Sequence, residues 1–253
     1  MKNKPLILVT NDDGADAKGL AKLIELMRPL GEVAVIASEQ AMSGMSHAVT
    51  VKVPLMPRLV KDEDDFTMWI TNGTPVDNVK LGKHTLLSRK PDIVVSGINH
   101  GSNAAINIIY SGTMGAVLEG AIDGIPGIGF SLDDYSPDAD FSHVDEFVLK
   151  ITRKVLDEGL PEGICLNVNF PKISDKPLKG IKSVRQAKAR WIEEFEKRKD
   201  PFGRNYYWIG GSFVNGDKRK DTDEYALSEN YVAVVPVKID FTAHEYVDKL
   251  QFQ

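Results

Sequence analysis

The chain has 253 residues, 42% of them hydrophobic and 26% charged, and a chain of this length buries roughly 70–75% of its unfolded surface without staples. A formal net charge of -5 gives no general attraction for duplex nucleic acid or acidic lipid. The lone Cys165 excludes an intramolecular disulfide and a cysteine-rich zinc site. No run approaches the roughly 20 apolar residues that cross a bilayer, and "MKNKPLILVT" lacks an apolar stretch of signal-peptide length. The expectation is a cytoplasmic α/β protein with no membrane partner.

"PLILVT" (5–10) is apolar without alternation, the pattern of a strand covered on both faces. Leu20, Leu23, Ile24, Met27 and Leu30 then fall at helical spacing, and Gly31 stands where a helix would end. "EVAVIA" (32–37) is a second buried strand, and the β-α-β rhythm argues for a parallel sheet with right-handed crossovers. "AVTVKVPL" (48–55) alternates Val49, Val51 and Val53, which predicts a strand with one solvated face. In "NGTPVDNVKLG" (72–82), Thr74 and Pro75 read as the cap and first turn of a helix.

"DIVVSGIN" (92–99) repeats the pattern of buried strand and polar loop. "SGTMGAVLEGAIDG" (111–124) follows as a helix, with Ser111 or Thr113 near its start and Gly124 near its end. "IPGIGFSL" (125–132) reads as a strand. Residues 142–158 form an amphipathic helix with Val144, Phe147, Val148, Ile151 and Val155 on one side, and "ICLNVNFP" (164–171) resumes the sheet.

Character changes near residue 181. The charged stretch from Arg190 to Lys199 reads most simply as a solvated helix face. Arg204, Tyr206, Tyr207 and Trp208 either pack within an arm or touch a base across a subunit boundary. "NYVAVVPVKID" (230–240) is a late strand that Pro236 places at an edge or in a different pairing. The expected organisation is a body over 1–180 and a hairpin-rich, oligomer-forming extension over 181–253, both parts of one domain.

In open parallel sheets, ligands sit beyond the carboxyl ends of the strands. Three polar loops fall there: "NDDG" after the first strand, "SEQAMSGMSH" after the second and "SGINHGSN" after the strand at 92. Asp12 and Asp13 are either an ordinary turn or a pair that a cation neutralises. Hard divalent ions such as Mg²⁺ or Mn²⁺ take carboxylate, amide and hydroxyl oxygens, and Ser43 and Asn99 supply such oxygens from the other loops. In "YSGTMG" (110–115), Ser111, Gly112 and Thr113 at a helix start make a phosphate cradle or a plain N-cap. The Gly-Lys-Ser/Thr of a P-loop is absent. His47 and His100 are single; either protonates a leaving group or lies on a loop.

Taken together, "ILVTNDDG", "SGMSH", "NGTPVDNVKLG", "DIVVSGINHGSN", "NIIYSGTMGAVLEG" and "LNVNFP" closely resemble the SurE family of metal-dependent nucleotidases. The resemblance runs from residue 6 to about 171, with weaker echoes in "YYWIGG" and "TDEYALSENYVAVVPV". It implies a Rossmann-like three-layer α/β body with a mostly parallel sheet and a C-terminal β-hairpin extension. It implies a homodimer or homotetramer that exchanges carboxy-terminal elements. The implied activity is hydrolysis of nucleoside 5′- and 3′-monophosphates, some members also trimming short polyphosphate. The family's metal ligands fall on Asp12, Asp13, Ser43 and Asn99, and its anion-binding segment on Ser111, Gly112 and Thr113, with Asn103 nearby. One departure is "ASEQAM" before Ser43, where members usually carry a proline and a charged or polar pair.

The mechanism expected is attack of a water on a phosphomonoester, with one divalent ion per subunit polarising the phosphoryl group and Asp12, Asp13 and Asn99 as the catalytic set. The alternative is a non-catalytic nucleotide-binding or phospho-receiver-like protein. A receiver, however, needs a phospho-accepting Asp where "SGIN" offers Asn99.

Overall fold

Leu6–Thr10 forms β1, buried throughout because both of its faces find cover. Ile7 and Val9 enter one apolar cluster and Leu8 the other, the period-two alternation of a central strand. The computed structural model describes residues 4–250 and 252, so the charged start at 1–3 lies outside the described residues. Helix α1 (Lys18–Met27) buries Leu20, Leu23, Leu26 and Met27. It stops before Leu30, and Gly31 is a point of close approach rather than a cap: a Cβ there would stand 2.2 Å from the Pro5 carbonyl oxygen.

Strand β2 (Glu32–Ser38) lies parallel to β1. The alternating valines at 48–55 make no regular strand: Val49, Val51 and Val53 are exposed. Alternation alone does not satisfy the backbone, and the place beside β2 is taken by a hairpin that the sequence reading missed, β3 (Arg58–Glu63) and β4 (Phe66–Thr71). Helix α2 (Pro75–Leu81) begins as expected, with Thr74 and Asp77 forming a reciprocal capping box.

Strand β5 (Ile93–His100) pairs with β1, and a six-residue 3₁₀ turn, Ala105–Tyr110, leads into α3 (Gly112–Ile122). Strand β6 (Gly127–Leu132), α4 (Asp145–Glu158) and β7 (Ile164–Phe170) complete the second half. Helix α4 buries Val148, Ile151 and Val155 on its apolar stripe.

Strand β8 (Ile181–Ser183) is followed by β9 (Ala189–Lys199) and β10 (Asn205–Asn215), which among the described residues pair only with each other, along their whole length. The Arg190–Lys199 stretch is therefore a strand and not a helix face. Its charge says only that it is solvated, and the facing aromatic strand supplies the ladder that decides its conformation. Helix α5 (Asp223–Ser228), β11 (Val232–Lys238) and α6 (His244–Val247) close the chain. Pro236 lies in β11 beyond the three residues that β8 covers, where the missing N–H costs no bond on that side.

The nine-stranded sheet has the order β3-β4-β2-β1-β5-β6-β7-β11-β8. Its pairings are parallel except β3 with β4 and β11 with β7. Helices α1 and α4 cover one face and α2 and α3 the other. Chain order runs outward from β1 through β2 in one direction and from β5 through β6 in the other. The topological switch point therefore falls between β1 and β5, the place where this class of sheet opens a crevice.

Candidate functional site

The loop after β1 turns sharply at Gly14, whose φ is +97°, and Asn11 closes the turn by donating Nδ2 to the Gly14 carbonyl at 2.8 Å. Among the described residues, this leaves Asn11 Oδ1 buried without a protein partner. Asp12 is 3% exposed. Thr113, in the first turn of α3, donates its hydroxyl to Asp12 Oδ1 at 2.5 Å. Burial above all, with the charge of Asp13 added and the Thr113 hydroxyl opposing, pushes the Asp12 carboxyl up to about 6.

Asp13 is held from the other side. Its Oδ2 accepts the backbone N–H of His100 at 2.9 Å and faces His100 Nδ1 at 3.0 Å. The His100 ring is steadied edge-on against Phe141, centroids 5.0 Å apart. His100 thus positions an acid of the pair.

Strand β5 reaches this place through an irregularity, since Ser96 pairs with Gly129 but Asn99 with Ser131. Such a bulge re-aims side chains at a strand end. Gly97 is required there, with φ +126° and only 2.3 Å between a would-be Cβ and the Phe130 carbonyl oxygen. Asn99 commits Nδ2 to the carbonyls of His100 and Gly101, at 3.3 and 2.9 Å. Among the described residues, Asp13 Oδ1 and Asn99 Oδ1 take no protein hydrogen bond.

Ser43 is exposed on the loop after β2. Its neighbour Met42 donates its N–H to the Asp12 carbonyl at 2.7 Å, which ties this loop to the Asp pair. Further along, Ser46 N–H bonds the Tyr110 carbonyl at 3.0 Å, and His47 Nε2 meets Glu119 Oε2 at 3.2 Å. Glu119 is a buried carboxylate on α3 that also accepts from Lys80 and Lys83. His47 is therefore spent on anchoring its loop to α3.

Ser111 caps α3, its hydroxyl accepting Met114 N–H at 3.0 Å and keeping its own proton to donate. Gly112 lies against the acid pair: a Cβ would stand 2.9 Å from Asp12 Cβ. Asn103 is buried, with Nδ2 donating to Ser131 Oγ at 2.8 Å and its carbonyl accepting from Asn167. Asn167 and Asn169 of β7 form with it a buried amide network that the sequence reading did not single out. The signal was present: two asparagines two residues apart on a buried strand share one face.

The three loops and the α3 start thus come together. The aromatic cluster Tyr206–Trp208 does not, since it lies exposed toward the turn of the β9–β10 hairpin. Among the described residues no three His, Cys, Asp or Glu side chains gather as a metal site. A cation here would rest on two carboxylates and neutral oxygens, a donor chemistry that suits a hard divalent ion. The unpartnered Asp13 Oδ1 and Asn99 Oδ1 fit that requirement.

Comparison with known proteins places this geometry among relatives. Residues 7–193 match the family described as Survival protein SurE. The 5′-nucleotidase SurE of Christiangramia forsetii is 53% identical over 251 residues, covering 98% of this chain and 96% of that protein. The protein of the same description from Flavobacterium johnsoniae is 52% identical over 248 residues, with 98% and 96% covered. In three dimensions the chain resembles the crystal structure of the SurE protein from Aquifex aeolicus, with a TM-score of 0.83, 38% identity, and 97% and 98% of the two chains covered.

Proposed function

The chain belongs to the survival protein SurE family, and from that premise we propose that the β1–β5 crevice is the active site of a metal-dependent phosphomonoesterase. The protein is a 5′-nucleotidase, and its substrates are nucleoside monophosphates. Our finer reading assigns the cation to Asp12, Asp13, Ser43 and Asn99, and the substrate phosphate to Ser111, Gly112 and Thr113 with Asn103. A bound Mg²⁺ or Mn²⁺ would polarise the phosphoryl group and lower the pKa of a water.

This chain's own residues do the rest. Thr113 orients Asp12, and His100 orients Asp13. A carboxylate of the Asp12–Asp13 pair takes the proton of the attacking water. As the new P–O bond forms, the bond from phosphorus to the sugar oxygen breaks, and the sugar leaves as its alcohol with the proton that the carboxylate took from the water. The Ser111 hydroxyl and the positive end of α3 offset charge on the non-bridging oxygens.

The observation that carries the reading is the pair of unequal acids at the switch point, one buried and braced by α3, the other braced by β5. We extend the reading to 3′-monophosphates and short polyphosphate as further substrates. We extend it also to a homodimer or homotetramer assembled through elements in 181–253, with 1–180 as the catalytic body, working in the cytoplasm.

The test is phosphate release from a panel of nucleoside monophosphates with Mg²⁺, with Mn²⁺ and with chelator, beside Asp12→Asn. Turnover that needs the metal and disappears in a folded Asp12→Asn protein supports the assignment. Turnover unaffected by chelator, or retained in Asp12→Asn, removes the cation from this loop.

A further inference from the structure

Beside the phosphate cradle lies an open cavity of about 400 Å³, walled by Tyr110, Trp191, Glu193, Ile209, Gly210 and Gly211. Tyr110 is the residue before Ser111, so the cavity adjoins the start of α3. Its carbonyl also holds Ser46 of the loop that carries Ser43. The cavity thus borders the proposed active site through Tyr110 and is built partly from the hairpin that the catalytic chemistry leaves unused.

Its walls are prepared. The Trp191 indole is fixed by donating Nε1–H to Asn107 Oδ1 at 2.7 Å, and Phe213 packs edge-on against it with centroids 5.5 Å apart. Two consecutive glycines leave one wall without side chains. Gly210 pairs with Glu194 and so faces away from Trp191 and Glu193, contributing only its backbone to the wall. Gly211 is different: its φ is +148° and a Cβ would come within 2.4 Å of the Ile192 carbonyl oxygen. Among the described residues, the Glu193 carboxylate has no hydrogen-bond or ion-pair partner.

Aromatic walls, a strip of bare glycine backbone and one carboxylate are poorly suited to phosphate or a sugar. They suit a planar ring with a donating edge, because every base presents a π-face for stacking. We propose that this cavity is the nucleobase subsite of the nucleotidase, and that Glu193 favours guanine. The carboxylate can accept both the N1–H and the 2-amino group of guanine, whereas adenine turns the N1 lone pair toward it. The proposal rests on the nucleotidase reading above.

The experiment measures kcat and KM of the full-length protein for GMP, AMP and base-less ribose 5-phosphate. It compares the wild type with Trp191→Ala, Trp191→Leu and Glu193→Gln, and follows the mass of each by light scattering. The wild type is expected to prefer GMP over AMP, and both over ribose 5-phosphate. Losing the stacking wall should raise KM for GMP by about ten- to a hundred-fold with kcat little changed, the signature of lost ground-state binding. The preference for GMP over ribose 5-phosphate should collapse accordingly. Trp191→Leu, which keeps apolar bulk against Phe213 while removing the indole face, should act like Trp191→Ala even if the latter disturbs the hairpin. Glu193→Gln should erase the margin of GMP over AMP.

Variants that lose activity on GMP and ribose 5-phosphate in equal proportion would overturn the proposal. So would variants that change the mass of the assembly and leave base preference intact, which would assign the cavity to a second copy. A wild type that hydrolyses all three substrates with equal efficiency overturns the subsite alone. A wild type that hydrolyses none of them overturns the nucleotidase reading together with it.

Discussion

Thr113 spends its hydroxyl on Asp12, and this contact separates two roles that the short segment 111–113 combines. Ser111 shapes the helix start, while Thr113 holds an acid in place. Thr113→Val keeps the shape and removes the hydroxyl, so metal affinity by calorimetric titration is expected to fall about 10- to 100-fold, the cost of losing a ligand's supporting partner. Unchanged affinity would mean that Asp12 needs no brace. Gly112→Ala makes a sharper demand, placing a methyl 2.9 Å from Asp12 Cβ and 3.0 Å from its Oδ2. The carboxylate must shift, and about a hundred-fold loss in turnover is expected from a displacement of this kind. Circular dichroism should show the fold retained; wild-type turnover would show that Asp12 tolerates displacement.

At the scale of elements, Glu119 joins α3 to α2, to the turn after it and to the loop that carries Ser43. Burial would raise its carboxyl, but hydrogen bonds from Lys80, Lys83 and His47 outweigh burial and hold it below the ordinary value of 4.5. A depressed pKa contributes stability above 4.5 that is lost as pH falls through the folded value. The Tm gap between the wild type and Glu119→Gln is therefore expected to be widest near neutral pH and to narrow in acid below about 4.5. A gap independent of pH would show that the effect is one of packing. Glu119→Ala leaves the largely buried Lys83 ammonium facing only Asp123, and about 3–5 kcal/mol of destabilisation is expected in denaturant unfolding. The β1–α1–β2 crossover is equally exacting, because a Cβ at Gly19 of α1 would stand 1.9 Å from the Ile98 carbonyl oxygen of β5. Glycine there lets α1 lie against the strand that carries Asn99.

For the whole molecule, the β9–β10 hairpin stands apart from the nine-stranded sheet and exposes Phe195, Tyr207, Trp208 and Ile209. An isolated two-stranded hairpin is marginal in water, and a surface this apolar calls for cover. Phe195→Asp combined with Trp208→Asp is expected to lower the mass seen by light scattering. The main thermal transition should survive, since neither side chain belongs to the buried clusters. An unchanged mass would move any oligomer contact elsewhere, for example to the exposed valines at 49–53.

The two halves of the α/β body were legible as short apolar runs and 3.6-residue stripes, because a strand covered on both faces and a helix covered on one leave different local patterns. The polar loops after the first, second and fifth strands were legible for the same reason, since buried runs that stop abruptly in Asp, Ser and Asn mark strand ends. Recognition of the family also came from these motifs. Where pairing decides conformation, local pattern failed. The valines at 48–55 alternate without a neighbour, and the charged stretch at 190–199 became a strand because an aromatic partner lies opposite. Only the tertiary structure could bring Thr113 to Asp12 across 101 positions and His100 to Asp13 across 87. Only it could set Trp191 beside Tyr110, because side chains so far apart in sequence meet solely through the order in which strands assemble.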